Sequence, residues 1–277
     1  MRRVIPYIAS QFRKDKIWMR RAAPSKRAFQ VLVALDDSRS MAPGNTGGGA
    51  LACEATALLC KALSRLEVGD IGIVSFGEQL RLLQPLDAPF SDEAGARALA
   101  QLTFAQETTH VGAALEAMGG LLEAARAGHA RGAGAGAGAG GAATLQQIVF
   151  LISDGMLGAA GERARVRRAL TAAAARGQLV VLLICDRAGS ASAGLLAGAA
   201  AGAAGAAGAP AGGPPSESIL SMQSIAFAPG GRVLRTAYLE DYPFPYYLVL
   251  NDVHSLPEVL SDAMRQFMEL SIAASSR

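Results

Sequence analysis

Five oxygen-bearing side chains stand where apolar runs give out or a helix pattern begins. Asp36, Ser38 and Ser40 form the D-x-S-x-S of DDSRS, which follows the run FQVLVAL. Asp154 closes the run IVFLIS and is followed by Gly155, while Thr109 lies in QETTHVG, just ahead of a helical pattern. These residue types suit a hard divalent cation. Mg²⁺ takes oxygen ligands in a near-ideal octahedron and retains several waters, with Mn²⁺ a possible substitute. Hydroxyls on alternate loop residues, such as Ser38 and Ser40, can turn to one side and donate neutral oxygens. Asp36, directly or through a water, and Asp154 offset the ion's charge. With few carboxylates and several hydroxyls, the metal stays electrophilic and keeps a position open for an outside carboxylate. Thr108 competes with Thr109 for the third hydroxyl; the distance to Gly112 favours Thr109. Asp37 is expected in a second shell around the ion or facing solvent.

Taken singly, each residue has a plainer account: Asp36 and Ser38 capping a turn, Asp154 opening an Asp-Gly turn. That account does not explain why two apolar strands both end in Asp. A Mg²⁺-dependent phosphohydrolase is the alternative from another class, since such enzymes also place Asp at strand ends. Here Ser38 stands where a second acid is wanted, and no Lys closely follows Asp154. His110, next to Thr109, is read as a surface residue at a helix start rather than a general base. No catalytic residue is assigned, and the chain alone is expected to bind rather than to catalyse. Gly136, Gly138 and Gly141 formally match G-x-G-x-x-G, but they follow a helix and precede a strand, the reverse of a dinucleotide site. No G-x-x-x-x-G-K-[ST] is present, so this segment is expected to bind no nucleotide.

Alternating patterns supply the elements that position these residues. Strands are expected at FQVLVALD, 70–76, 79–86, 146–155, 179–186 and 245–252, and helices at 50–66, 91–102, 110–128, 163–178 and 255–274. Strands alternating with helices imply an α/β fold, a doubly wound, mostly parallel sheet flanked by helices. Such sheets bind ligands beyond the carboxyl ends of their strands, where both Asp-bearing loops fall. Two tracts of Gly, Ala, Ser and Pro, 130–143 and 187–215, have too little apolar mass to pack and are read as flexible surface loops. The aromatics of 225–247 are read as packing beneath a long loop.

Charge separates a lead-in from the body. Residues 1–28 carry nine Lys or Arg and one acid, although the whole chain is only +3, so the remainder is mildly acidic. Within the lead-in, Val4, Ile5, Tyr7, Ile8, Phe12, Ile17 and Met19 alternate with basic residues, an amphipathic pattern ended by Pro24. Such an arm suits an acidic protein face, a nucleic acid, a membrane surface or another part of a longer chain. Cys53, Cys60 and Cys185 are odd in number and lack paired spacing, as in a reducing compartment. With no secretory signal or long apolar run, an intracellular protein is expected.

The order D-x-S-x-S, then Thr, then a strand-terminal Asp resembles the metal-ion-dependent adhesion site of von Willebrand A domains. The flanks are more particular. VIPYIASQFRKDKIWMRR, VLVALDDSRSM and YPFPYYLVLNDVHSLPEVLSDAMRQFMEL resemble the carboxyl-terminal region of the midasin family, very large dynein-related AAA ATPases that remodel pre-60S ribosomal particles. The resemblance implies a von Willebrand A domain over 29–277 behind a basic helical lead-in over 1–28. It also implies that Asp36, Ser38, Ser40, Thr109 and Asp154 grip an acidic residue of a ubiquitin-like domain on a ribosome-assembly factor. The pull would come from an AAA ring of the same full-length chain, in the nucleus (nucleolus or nucleoplasm). No AAA module lies in this chain. A von Willebrand A subunit of another AAA-linked complex, such as a metal chelatase, is the nearest alternative.

Overall fold

The computed structural model describes residues 29–42, 48–133, 145–157, 160–186, 218–220, 222–227, 233–239, 243–252, 254 and 256–257. The lead-in, most of both Gly/Ala tracts and nearly all of the 255–274 segment lie outside these residues.

Among the described residues, six strands form one sheet in the order β3-β2-β1-β4-β5-β8. They are β1 (Phe29–Asp36), β2 (Gly69–Phe76), β3 (Arg81–Gln84), β4 (Gln146–Ser153), β5 (Gln178–Cys185) and β8 (Tyr247–Leu250). Only β3 runs antiparallel; every other neighbouring pair is parallel. The continuous apolar character of β1, β4 and β5 is what burial on both faces demands. Leu32, Ala34, Val149, Leu151, Val180 and Leu182 face one layer of helices, α3 (Val111–Ala133) and α4 (Ala160–Ala175). Val31, Val33, Leu35, Ile148, Phe150 and Ile152 face the other, α1 (Gly48–Arg65) and α2 (Asp92–Leu99).

Several boundaries differ from the sequence expectation. The second strand of the β2–β3 hairpin covers only Arg81–Gln84, and its register shifts between Ile73 and Val74. Helix α3 runs on to Ala133, so 130–133, expected as loop, is helical. Alanine has the highest helix propensity and extends a helix already formed. A two-stranded sheet that the apolar pattern did not reveal, β6 (Gln223–Phe227) with β7 (Val233–Ala237), overlaps the stretch 225–247, whose aromatics were expected only to pack beneath a long loop. At the start of α2, the expected cap is present: the Ser91 hydroxyl accepts from Ala94 N at 3.1 Å.

The strand order reverses between β1 and β4. The chain leaves β1 towards β2 on one side and returns to β4 on the other. The register Leu35↔Ile152 sets Asp36 beside Ser153 at the carboxyl edge of this switch point. There the two crossovers diverge and leave a crevice, the usual ligand position in such sheets.

Candidate metal centre at the carboxyl edge

The crevice is built from the ends of β1 and β4. Ser153 Oγ donates to Asp36 Oδ2 at 2.7 Å and lies 3.4 Å from Asp154 Oδ1. Asp36 Oδ1 accepts from Ser38 N at 3.0 Å, which curls the chain back over its own carboxylate. Ser38 and Ser40 share a hydrogen bond of 3.0 Å, so both hydroxyls point to the same side. The short 3₁₀ turn Arg39–Met41 gives this geometry, and Met41 anchors it in the core. Gly49, in the first turn of α1, lies so close to the Met41 carbonyl oxygen that any Cβ would collide with it.

Burial gives the site its electrostatics. Asp36, Ser38 and Asp154 are all nearly inaccessible, while Ser40 reaches solvent. Burial pushes the Asp36 carboxyl up to about 6, with the hydrogen bonds from Ser153 and Ser38 opposing and the nearby Asp154 adding to the rise. Asp154 Oδ1 accepts from Met156 N at 3.0 Å, but its Oδ2 is buried and has no hydrogen-bond partner. A buried carboxylate oxygen without a donor costs free energy. A divalent cation fits this want: an unpartnered anionic oxygen, a second carboxylate and two aligned hydroxyls are hard donors of the kind Mg²⁺ takes.

The loop before α3 forms the third wall, and Asp37 ties it down. Its carboxylate accepts from Thr103 N at 2.8 Å, Thr103 Oγ1 and Gln106 Nε2 both at 3.2 Å, and Phe104 N. Asp37 is fully buried, so of the two expected placements, around the ion or in solvent, the solvent-facing one does not hold. Its backbone joins in: Asp37 N donates to Phe76 O, Arg39 N to Gln106 O and Gln106 N to Asp37 O. Phe104, whose N–H donates to that carboxylate, has a positive φ of 50°. Downstream, His110 N donates to Gly77 O at 3.0 Å, setting the start of α3 beside the end of β2. Thr109 is half-buried at that junction, whereas Thr108 and His110 are exposed. Glu162 caps α3 from α4, accepting from Gly112 N at 2.7 Å, so the positive end of the helix already has an anion.

Three contributors escaped the reading of the sequence. Ser153, the last residue of β4, links the two carboxylates. Tyr238, just after β7, is buried and accepts at its hydroxyl from Leu157 N at 2.8 Å, with Gly155 O 3.3 Å away. It thus holds both sides of the turn that follows Asp154, under the Arg163 guanidinium 4.9 Å from its ring. Asp186, one residue beyond β5, accepts from Ser218 Oγ and from Ile219 N, tying residues 218 and 219 to the same edge. Strands ending in Asp were a usable signal for Asp186. Nothing local marks Tyr238, whose partners lie about eighty residues away.

Comparison with known proteins agrees with this fold. The von Willebrand factor type A domain family matches residues 31–156. The chain is 34% identical to midasin of Dictyostelium discoideum over 98% of its own length, and 34% identical to midasin of Giardia intestinalis over 97%. It spans only 4% and 5% of those relatives. The solved structure of manganese-loaded TRAP protein from Plasmodium vivax aligns over 59% of each chain at 15% identity and a TM-score of 0.45, too distant to add weight. The parallel sheet with its carboxyl-edge site, and two relatives matched along nearly the whole of this chain, have one reading: the chain belongs to the von Willebrand A family and is a domain of the midasin type.

Proposed function

We propose that this domain captures an acidic side chain of a partner protein through a divalent cation, Mg²⁺ by preference, held at the end of β1 and β4. The supporting observation is the buried, unpartnered Oδ2 of Asp154, whose carboxylate is linked through Ser153 to Asp36, at the edge where Ser38 and Ser40 share a hydrogen bond. In this reading Ser38, Ser40 and Thr109 give neutral oxygens, Asp36 and Asp154 give charge, and Asp37 holds the 103–107 loop in place. A cation so held supplies an electrophilic position that a carboxylate oxygen can fill. No covalent step on the ligand is invoked, so the domain acts as a binding module.

Similarity to midasins supports a finer statement: the partner is a ubiquitin-like domain of a ribosome-assembly factor on the pre-60S particle, in the nucleus. The ATP-driven step then belongs to an AAA ring in the longer protein of which such a domain is a small part. The test is binding of the purified chain to such a ubiquitin-like domain with Mg²⁺, with EDTA and with Asp36→Ala. Binding only with Mg²⁺ and intact Asp36 is expected. Equal binding in all three conditions would overturn the metal-dependent capture, and absence of binding throughout would overturn the choice of partner.

A further inference from the structure

At the opposite end of the sheet, on the face carrying α3, a groove of about 470 Å³ opens between the helix and the β1–β2–β3 edge. Its walls are mostly apolar, with Leu32, Leu82, Leu86 and Leu121 prominent, and two acids, Asp70 and Asp87, stand among them. Leu82 is 51% exposed, unusual for a leucine on a strand. Solvated apolar surface gathered in a concave site is a binding feature rather than scatter.

We propose that the chain's own lead-in, residues 4–21, lies in this groove. Position is the first argument. Gln30 and Asp70 both line the groove and are paired across β1 and β2, so the segment enters β1 at Phe29, one residue from the groove. The seven residues 22–28 between the segment and β1 can span at most about 25 Å at ~3.3–3.6 Å per residue, which limits how far the segment can stray. Proximity of this kind raises the local concentration enough for modest contacts to suffice. Charge is the second. The segment brings basic residues in numbers, among them Arg13, Lys14, Lys16, Arg20 and Arg21, to a groove whose acidic side chains, among the described residues, are Asp70 and Asp87. The third is pattern. Val4, Ile5, Ile8 and Phe12 recur at helical spacing, and such a stripe needs an apolar face to cover it. Docking there would leave the carboxyl edge free and fix how the domain leaves the chain before it. The proposal stands independently of the metal reading.

Trp18, the only tryptophan of the chain, lies within the segment and reports on it. Its emission and acrylamide quenching are measured in the full chain, in Leu82→Glu and in Asp87→Lys. Leu82 and Asp87 are both exposed, so both substitutions spare the core. Amide exchange of β1 and β4 verifies that the fold is kept. The expected result is a blue-shifted, protected Trp18 in the native chain, becoming several-fold more quenchable in both variants. Trp18 as accessible as in urea would overturn the proposal and leave the groove to a separate partner. Protection unchanged by either substitution would also overturn it, placing the segment elsewhere on the domain.

Discussion

The two ends of the central sheet solve the burial of polar groups in opposite ways. At the amino edge, three glutamines from three strands form a neutral ladder. Gln147 Nε2 donates to Gln30 Oε1 at 2.8 Å and to Leu122 O at 2.6 Å, while Gln178 Nε2 donates to Gln147 Oε1 at 3.1 Å. Gln30 in turn donates to Asp70 Oδ2 at 3.3 Å. At the carboxyl edge, two carboxylates are buried side by side, one with an oxygen lacking any donor. The first arrangement has the character of a lock on register, with α3 tied in through Leu122 O. The second holds charge out of water without full compensation, which structures tolerate where something binds.

Removing the lock should do the most damage. Gln147→Ala strands Leu122 O and the amides of Gln30 and Gln178, at a cost of about 3–4 kcal/mol from the loss of several buried hydrogen bonds. Urea unfolding should show that loss, while any Mg²⁺-induced stabilisation of the remaining folded protein stays intact. A loss under about 1 kcal/mol would mean that the ladder is replaceable by water.

The other edge should respond with the opposite sign. Asp36 is held at about 6 against an ordinary 3.8, so the folded state binds the proton more tightly than the unfolded chain. Below about pH 4 both states are protonated. As pH rises from about 4 through about 6, metal-free stability falls by about 3 kcal/mol, then levels off. Asp36→Asn keeps the acceptor for Ser38 N and removes the charge. It should therefore raise metal-free stability at pH 7 by up to that amount, flatten the pH slope, and abolish stabilisation by Mg²⁺. Thermal unfolding of both proteins between pH 4 and 8, with EDTA and with Mg²⁺, checks all three outcomes.

Tyr238→Phe is a smaller change that tests whether the β6–β7 insertion shapes the metal loop. Losing the hydroxyl leaves Leu157 N without its acceptor, a cost of about 1–2 kcal/mol. Faster amide exchange at residues 155–157 and several-fold weaker Mg²⁺ binding are expected. Unchanged exchange would confine Tyr238 to core packing. The smallest effect is reserved for the rim. Arg39 and Glu107 pair at 3.8 Å with both side chains largely exposed, so Glu107→Gln should leave stability within about 0.5 kcal/mol.

The same contrast explains what the sequence made legible. Asp36 and Asp154 stood out because buried parallel strands read as unbroken apolar runs, and an acid at the end of one breaks the pattern visibly. Their adjacency followed from the α/β alternation, since the carboxyl ends of parallel strands share an edge. The alignment of Ser38 and Ser40 was legible from their spacing. What stayed hidden depends on contacts between residues far apart in the chain. The role of Asp37 as the anchor of 103–107 spans more than sixty residues. The glutamine ladder joins positions 30, 147 and 178, each of which looks in isolation like a polar residue at a strand start. Strands β6 and β7 pair with each other rather than with the main sheet, so no strong apolar run announced them. Hydrophobic period reports burial against a layer and says little about which polar atoms meet.

The proposed function makes the unpartnered oxygen of Asp154 a metal ligand. Its most direct test is a titration of the purified chain with Mn²⁺, followed by the electron paramagnetic resonance of the free ion and competed with Mg²⁺. The wild-type chain is expected to take up one ion that Mg²⁺ displaces. Asp154→Asn, folded as judged by its circular dichroism, is expected to lose that site. Equal uptake by the wild type and Asp154→Asn, or no uptake by either, would contradict the account.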